Sequence, residues 1–205
     1  ILEILPGRGC YTQILAPLLR EKGQLSIASF GANHPSDYLR GIHNDYITYL
    51  NSNPAVYDKI DQHVFLDRGY LNSIASESQD MVLTFRNSHN WVRYGGIEDV
   101  YQAFHRVLKK GGVLGVVQHR ADKNSDPMVT ADQGYLPEPY LIKLIESMGF
   151  KLVEKSEINA NPKDTKNYSK GVWTLPPSYR LGDEDKAKYS AIGESDRMTL
   201  RFVKL

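Results

Sequence analysis

The chain has 205 residues, 41% of them hydrophobic and 24% charged, enough for one domain with a full core. Twenty-five Lys and Arg stand against 24 Asp and Glu, so no basic excess marks a nucleic-acid binder, and a small-molecule partner is expected. One cysteine, Cys10, excludes an intrachain disulfide framework and a cysteine-rich zinc site, and no apolar run reaches the roughly 20 residues of a membrane span.

Short apolar runs alternate with amphipathic stretches, which predicts an α/β fold with a mostly parallel sheet. Residues 1–5 read as a buried strand. Because the chain starts there, and with Ile, a preceding segment is expected. Residues 11–21 read as a helix interrupted by Pro17, and residues 24–29 as the second strand. A helix opens at Pro35-Ser36-Asp37, with Leu39, Ile42, Tyr46, Ile47 and Leu50 at helical spacing. Strands follow at 63–66 and 81–85. Residues 97–110 predict a helix with Lys109 and Lys110 at its C-terminus, stopped by Gly111-Gly112. A strand at 113–118, a helix at 138–148 and strands at 150–158 and 198–205 complete the series. The polar stretch 159–193 reads as a long loop, and residues 1–205 as a single domain.

The string Glu3-Ile4-Leu5-Pro6-Gly7-Arg8-Gly9 joins the first strand to the first helix. Two glycines allow a sharp turn and close approach of a ligand, and the helix start favours an anionic group such as a carboxylate. Glu3 is suited to the ammonium of an amino-acid moiety. A dinucleotide fingerprint is not met, because Thr12 stands where a third glycine belongs and Ser29 where an acid belongs. A Walker loop lacks its Gly-Lys-Ser/Thr ending. A strand-to-helix turn without a ligand is the other reading of the same string.

With that loop, the strand Asp80-Met81-Val82-Leu83-Thr84-Phe85 and the run Val107-Leu108-Lys109-Lys110-Gly111-Gly112-Val113, the chain resembles class I S-adenosylmethionine (SAM) dependent methyltransferases over residues 1–150. More narrowly it resembles a little-characterised bacterial family of predicted methyltransferases. That likeness rests on Phe85-Arg86-Asn87-Ser88-His89-Asn90-Trp91, Gln118-His119-Arg120-Ala121 and Gly171-Val172-Trp173-Thr174-Leu175-Pro176-Pro177. The resemblance implies a Rossmann-like, doubly wound seven-stranded sheet with an antiparallel last strand, and SAM across the carboxyl ends of the first strands. It implies cofactor contacts from Glu3, Leu5, Pro6, Gly7, Gly9, Ser29, Asp67, Arg86 and Asn87. Leu5 stands where many relatives have glycine. Ser29 stands where they have the acid that holds the ribose, so Asn33 or Asp37 are possible substitutes.

Methyl transfer needs alignment, and a base where the acceptor must lose a proton. His89 and His119 follow the fourth and fifth strands and are expected to share a pocket, His89 as first choice of base and His119 as second. Trp91, Arg120, Asn161 and Trp173 are the expected acceptor contacts; Arg86 and Arg120 are suited to orienting an anionic acceptor, the alternative being pairing with Glu157 and other local acids. A metal site from His89, His119 and Asp122 is the minor alternative, and no metal is expected. The reading is a methyltransferase for a small-molecule acceptor, cytoplasmic because SAM is made there. The alternatives are a non-catalytic SAM or nucleotide binder of the same fold and an NAD-dependent oxidoreductase.

Overall fold

Strand β1 (Leu2–Ile4) is buried at all three positions because it is paired in parallel on both edges. On one side lies β2 (Ser26–Ser29), with Glu3 opposite Ile27, and on the other β4 (Gln79–Phe85), with Glu3 opposite Leu83. A strand enclosed in this way reads as a continuous apolar run rather than an alternating one. Strand β3 (Asp61–Val64) pairs, among the described residues, with β2 alone and is correspondingly polar. It begins two residues earlier than the apolar run 63–66 predicts, since the register sets Ser26 opposite Asp61. The computed structural model describes every residue except Asp67, so the expectation placed on Asp67 lies outside the described residues.

The sheet has eight strands in the order β3-β2-β1-β4-β5-β8-β7, rather than the seven expected. Here β5 is Leu108–Ala121, β7 is Phe150–Ser156 and β8 is Arg197–Lys204, while β6 (Leu136–Pro137) is a two-residue strand beside Arg120 and Ala121. The expected antiparallel last strand is present. The N–H of Arg120, late in β5, bonds to Asp196 O just before β8, whereas Lys204 at the far end of β8 bonds to Leu108 O at the start of β5.

Two compact units divide the chain. The first holds residues 1–85 and 103–114, with Lys204. Its helices α1 (Thr12–Leu19), α2 (Asp37–Asn51) and α3 (Pro54–Tyr57) enclose a core of Ala16, Leu25, Ile27, Tyr46, Leu50 and Tyr57. Ser36 caps α2 through its hydroxyl, as Pro35-Ser36-Asp37 foretells. The second unit holds residues 86–102 and 115–203, with Leu205. It contains helices α4 (Ser88–Arg93), α6 (Pro127–Ala131), α7 (Glu138–Ser147) and α8 (Lys186–Ile192), with Ala121, Tyr135, Val172 and Trp173 packed together.

Helix α5 (Ile97–Val107) ends three residues before the predicted stop. Leu108 is fully buried in the strand that follows, and Lys109 reaches the Asp80 carboxylate at 2.7 Å instead of serving a helix terminus. Gly112 leaves no room for a side chain: a Cβ there would lie 2.8 Å from the Lys109 carbonyl oxygen.

The late polar stretch is tied down rather than loose. The buried Asp164 carboxylate accepts from the Tyr135 hydroxyl at 3.2 Å and from the N–H of Asp196 at 2.8 Å and of Lys166 at 3.0 Å. Among the described residues, no helix is long and apolar enough to cross a membrane.

Candidate functional site

In the first unit, the chain leaves β1 through a loop whose backbone is left-handed at Leu5 (φ 47), Gly7 (φ 62) and Gly9 (φ 89). The N–H of Leu5 bonds to Ala28 O, and the N–H of Gly9 to Pro6 O, which closes the turn. The two glycines serve different needs. A Cβ on Gly7 would meet nothing within 4 Å, so only its φ demands glycine and the space above it is open. A Cβ on Gly9 would lie 3.0 Å from the Tyr46 ring and 3.3 Å from Tyr49, so helix α2 packs directly on the loop. Tyr11, at the entry to α1, stacks on Phe85 at the end of β4 with centroids 3.6 Å apart.

Beneath the loop, Glu3 is 1% exposed and accepts from the Thr12 hydroxyl at 2.7 Å; Thr12 is itself 3.0 Å from the Tyr46 hydroxyl. Burial raises the Glu3 carboxyl to about 7, the Thr12 hydrogen bond opposing it only in part. Near neutral pH this carboxyl is therefore divided between its protonated and ionised forms, and a cation beside it would draw the proton off. Ser29, at the end of β2, is buried with its hydroxyl 3.0 Å from His43 Nδ1. Asp37, one expected substitute at the ribose end, is ion-paired with Arg40, and Asn33 is exposed.

In the second unit the structure brings His89 and His119 together, with ring centroids 5.8 Å apart. His89 is on α4, a helix where the sequence suggests a loop, and His119 is near the end of β5. Gln118 stands between them, wholly buried. Its Nε2 donates to Gly134 O at 3.0 Å and lies 3.2 Å from His89 Nδ1. His119 Nδ1 is 2.6 Å from the Ser195 hydroxyl. Burial pushes His89 down to about 4 and His119 well below its ordinary value, so both rings are neutral at pH 7. Trp173 meets His89 edge-on at 5.8 Å and carries the Arg180 guanidinium over its own ring at 5.2 Å.

Other expected contacts are engaged elsewhere. Arg120 is bound to three carboxylates, Glu157 at 2.7 Å, Asp196 at 2.8 Å and Glu138 at 3.1 Å, the pairing that the sequence offers beside its reading as an acceptor contact. Trp91 is 6% exposed and lies edge-on to Tyr101, as a core residue does. Asn161 donates to Ile192 O and Glu194 O, bracing the late segment. Asn87 accepts through its carbonyl at the start of α4, and Arg86 takes a left-handed φ of 63 immediately after β4. Asp122 faces Lys166 at 3.8 Å, and among the described residues no three His, Cys, Asp or Glu side chains are grouped for a metal.

Sequence reasoning missed Thr12, Gln118 and Ser195. Gln118 sits beside His119 in a string already singled out, while Ser195 lies 76 residues away and gave no signal.

No family model and no curated protein matches this sequence. Solved structures do. A SAM-dependent methyltransferase from Methanosarcina mazei superposes with a TM-score of 0.64 at 12% identity, over 100% of this chain and 91% of that one. One from Aquifex aeolicus gives 0.63 at 11% identity, over 100% and 81%. The [4+2]-cyclase SpnF gives 0.63 at 14% identity, over 99% and 73%. The chain therefore has the Rossmann-like fold of class I SAM-dependent methyltransferases.

Proposed function

We propose that this chain is a SAM-dependent methyltransferase acting on a small-molecule acceptor in the cytosol, where SAM is made, without nucleic-acid or membrane partners. The observation that carries this reading is the loop after β1, with a buried Glu3, raised to about 7, beneath it and open space above Gly7. Those features fit the methionine end of the cofactor: an ammonium for Glu3, and backbone free of a side chain at Gly7. Ser29 and its partner His43 offer only neutral groups at the ribose end.

When bound, SAM supplies an electrophilic methyl group on a sulfonium. The remaining work belongs to the protein's own side chains. Ser195 holds Nδ1 of His119, which leaves Nε2 of that ring to meet an acceptor. Gln118, itself locked on the Gly134 carbonyl, orients His89. Both imidazoles are neutral at physiological pH and so are in the form that takes a proton, while their burial makes each imidazolium short-lived. Trp173 shields His89 from water on one side.

Calorimetric titration of SAM into the protein is expected to show saturable binding that Gly7→Val abolishes. No binding at millimolar SAM would overturn the reading. Because a bound ammonium stabilises the ionised carboxylate, binding near pH 7 is also expected to release a proton from Glu3, seen as an enthalpy that varies with the buffer.

The engagement of Ser29 with His43, and the likeness to a cyclase of the same fold, support a second reading, a protein that binds SAM without transferring its methyl. Label moving from methyl-labelled SAM to any component of a cell extract decides against it.

A further inference from the structure

We propose that Arg86 forms an oxyanion subsite in the second unit, holding a carboxylate or phosphate group of the acceptor beside His89 and His119. The proposal rests on the methyltransferase reading and names the acceptor's chemical class.

Six arginines in the chain are half-buried. Five have side-chain partners: Arg20 has Asp58, Arg40 has Asp37 and Arg197 has Glu194, although the buried Arg197 Nε has no hydrogen-bond partner among the described residues. Arg106 donates to the carbonyls of Ile74, Leu71 and Tyr70, and Arg120 holds three carboxylates. Arg86 has no ion pair and no side-chain hydrogen bond to another described residue. None of its guanidinium nitrogens is buried, so its donors stay open to solvent without a counter-charge from the described residues, and an oxyanion answers that planar fork in bidentate fashion.

The backbone around Arg86 is built rather than incidental. Its N–H bonds to Val117 O at 2.7 Å, and its φ of 63 is one that side-chain-bearing residues seldom adopt. The residue lies three positions before His89, and Val117 two before His119. Beyond the dominant effect of burial, the Arg86 charge helps to hold both imidazoles neutral. A neutral imidazole donates one hydrogen bond and accepts another without repelling an anion. Arg120, the other cation near His119 in sequence, is saturated by acids and leaves this task to Arg86.

The test follows the imidazole NMR signals of His89 and His119, assigned with His89→Gln and His119→Gln. Inorganic phosphate and acetate are titrated in separate arms at constant ionic strength and without SAM. Saturable shifts of both rings are expected, with affinity weakened at least about tenfold in Arg86→Gln. Arg86→Lys is expected to lie between, and the exposed control Arg201→Gln to match the parent. The two arms say whether phosphate or carboxylate is the better fit. Identical titrations in Arg86→Gln and the parent, or no saturation in either arm, overturn the proposal. Displacement of the bound anion by SAM also overturns it, because the subsite would then belong to the cofactor's carboxylate. SAM binding itself is scored separately, so failure of the cofactor reading leaves a distinct signature.

Discussion

The two buried polar clusters solve the same electrostatic problem with opposite signs of group. Glu3, with Thr12 and Tyr46, is an acid that burial makes reluctant to ionise; His89 and His119, with Gln118 and Ser195, are bases that burial makes reluctant to protonate. Each cluster is therefore most comfortable when neutral. The difference lies in what an approaching ligand does to them. A cation near Glu3 is rewarded with a proton release at neutral pH, whereas the histidines sit so far below neutrality that a ligand meets them without any proton changing hands. The first region is tuned to recognise charge, and the second to present fixed hydrogen-bond donors and acceptors.

The largest expected effect concerns Arg120, which holds the second region's frame. Arg120→Met removes the cation shared by the nearly buried carboxylates of Asp196 and Glu138, leaving them only the cations Lys166 and Lys155 among the described residues, and should lower unfolding free energy by about 3 kcal/mol in urea titrations. A loss below about 0.5 kcal/mol would show that the cluster stands without it.

The pH dependence of stability tests the contrast directly. Glu3 is raised from 4.5 to about 7, so its contribution is complete below about 4.5 and lost as pH rises through 7. His89 is lowered from 6.5 to about 4, so its contribution is complete above about 6.5 and lost as pH falls through 4. Each spans roughly 3 kcal/mol, and over the shared window they oppose one another. Urea unfolding between about pH 4.5 and 7 should show Glu3→Gln losing more stability on acidification than the parent, and His89→Gln losing less. Equal slopes in both variants would break the comparison.

Within the first region, Gly9→Ala should cost about 2 kcal/mol, combining a left-handed φ with a clash on Tyr46, and Gly7→Ala about 1 kcal/mol from φ alone. Thermal melts that rank them the other way would mean that helix α2 does not brace the loop. The smallest effect is a gain: Leu5→Gly relieves a left-handed backbone and should raise the melting temperature by about 2 °C.

The parallel core of the fold was legible because its cause is local. Residues 1–5 and 81–85 are apolar runs enclosed on both sides, and the Gly7 and Gly9 spacing marks the turn between β1 and α1. Helices α3, α4, α6 and α8 run four to seven residues, too short to display a helical period, and were not visible. The meeting of His89 with His119 followed from their expected places at the carboxyl ends of neighbouring strands, although His119 lies within β5. Their orientation did not, since it is set by Gln118 and the remote Ser195. Arg120 showed a pairing role in the sequence, but that Glu138 and Asp196 join Glu157 around it is visible only in the fold.

The late segment carries one more consequence, for protein engineering. Asn161 and Asp164 fasten it at one end, and Asn161 also grips the carbonyls of Ile192 and Glu194 at the other. Between these anchors, residues 182–188 are exposed and α8 buries no side chain. Lengthening a loop whose ends are already held together costs little, because closure entropy grows only with the logarithm of its length. A peptide tag or a small reporter domain spliced in after Gly182 would thus ride on the protein with both polar clusters intact.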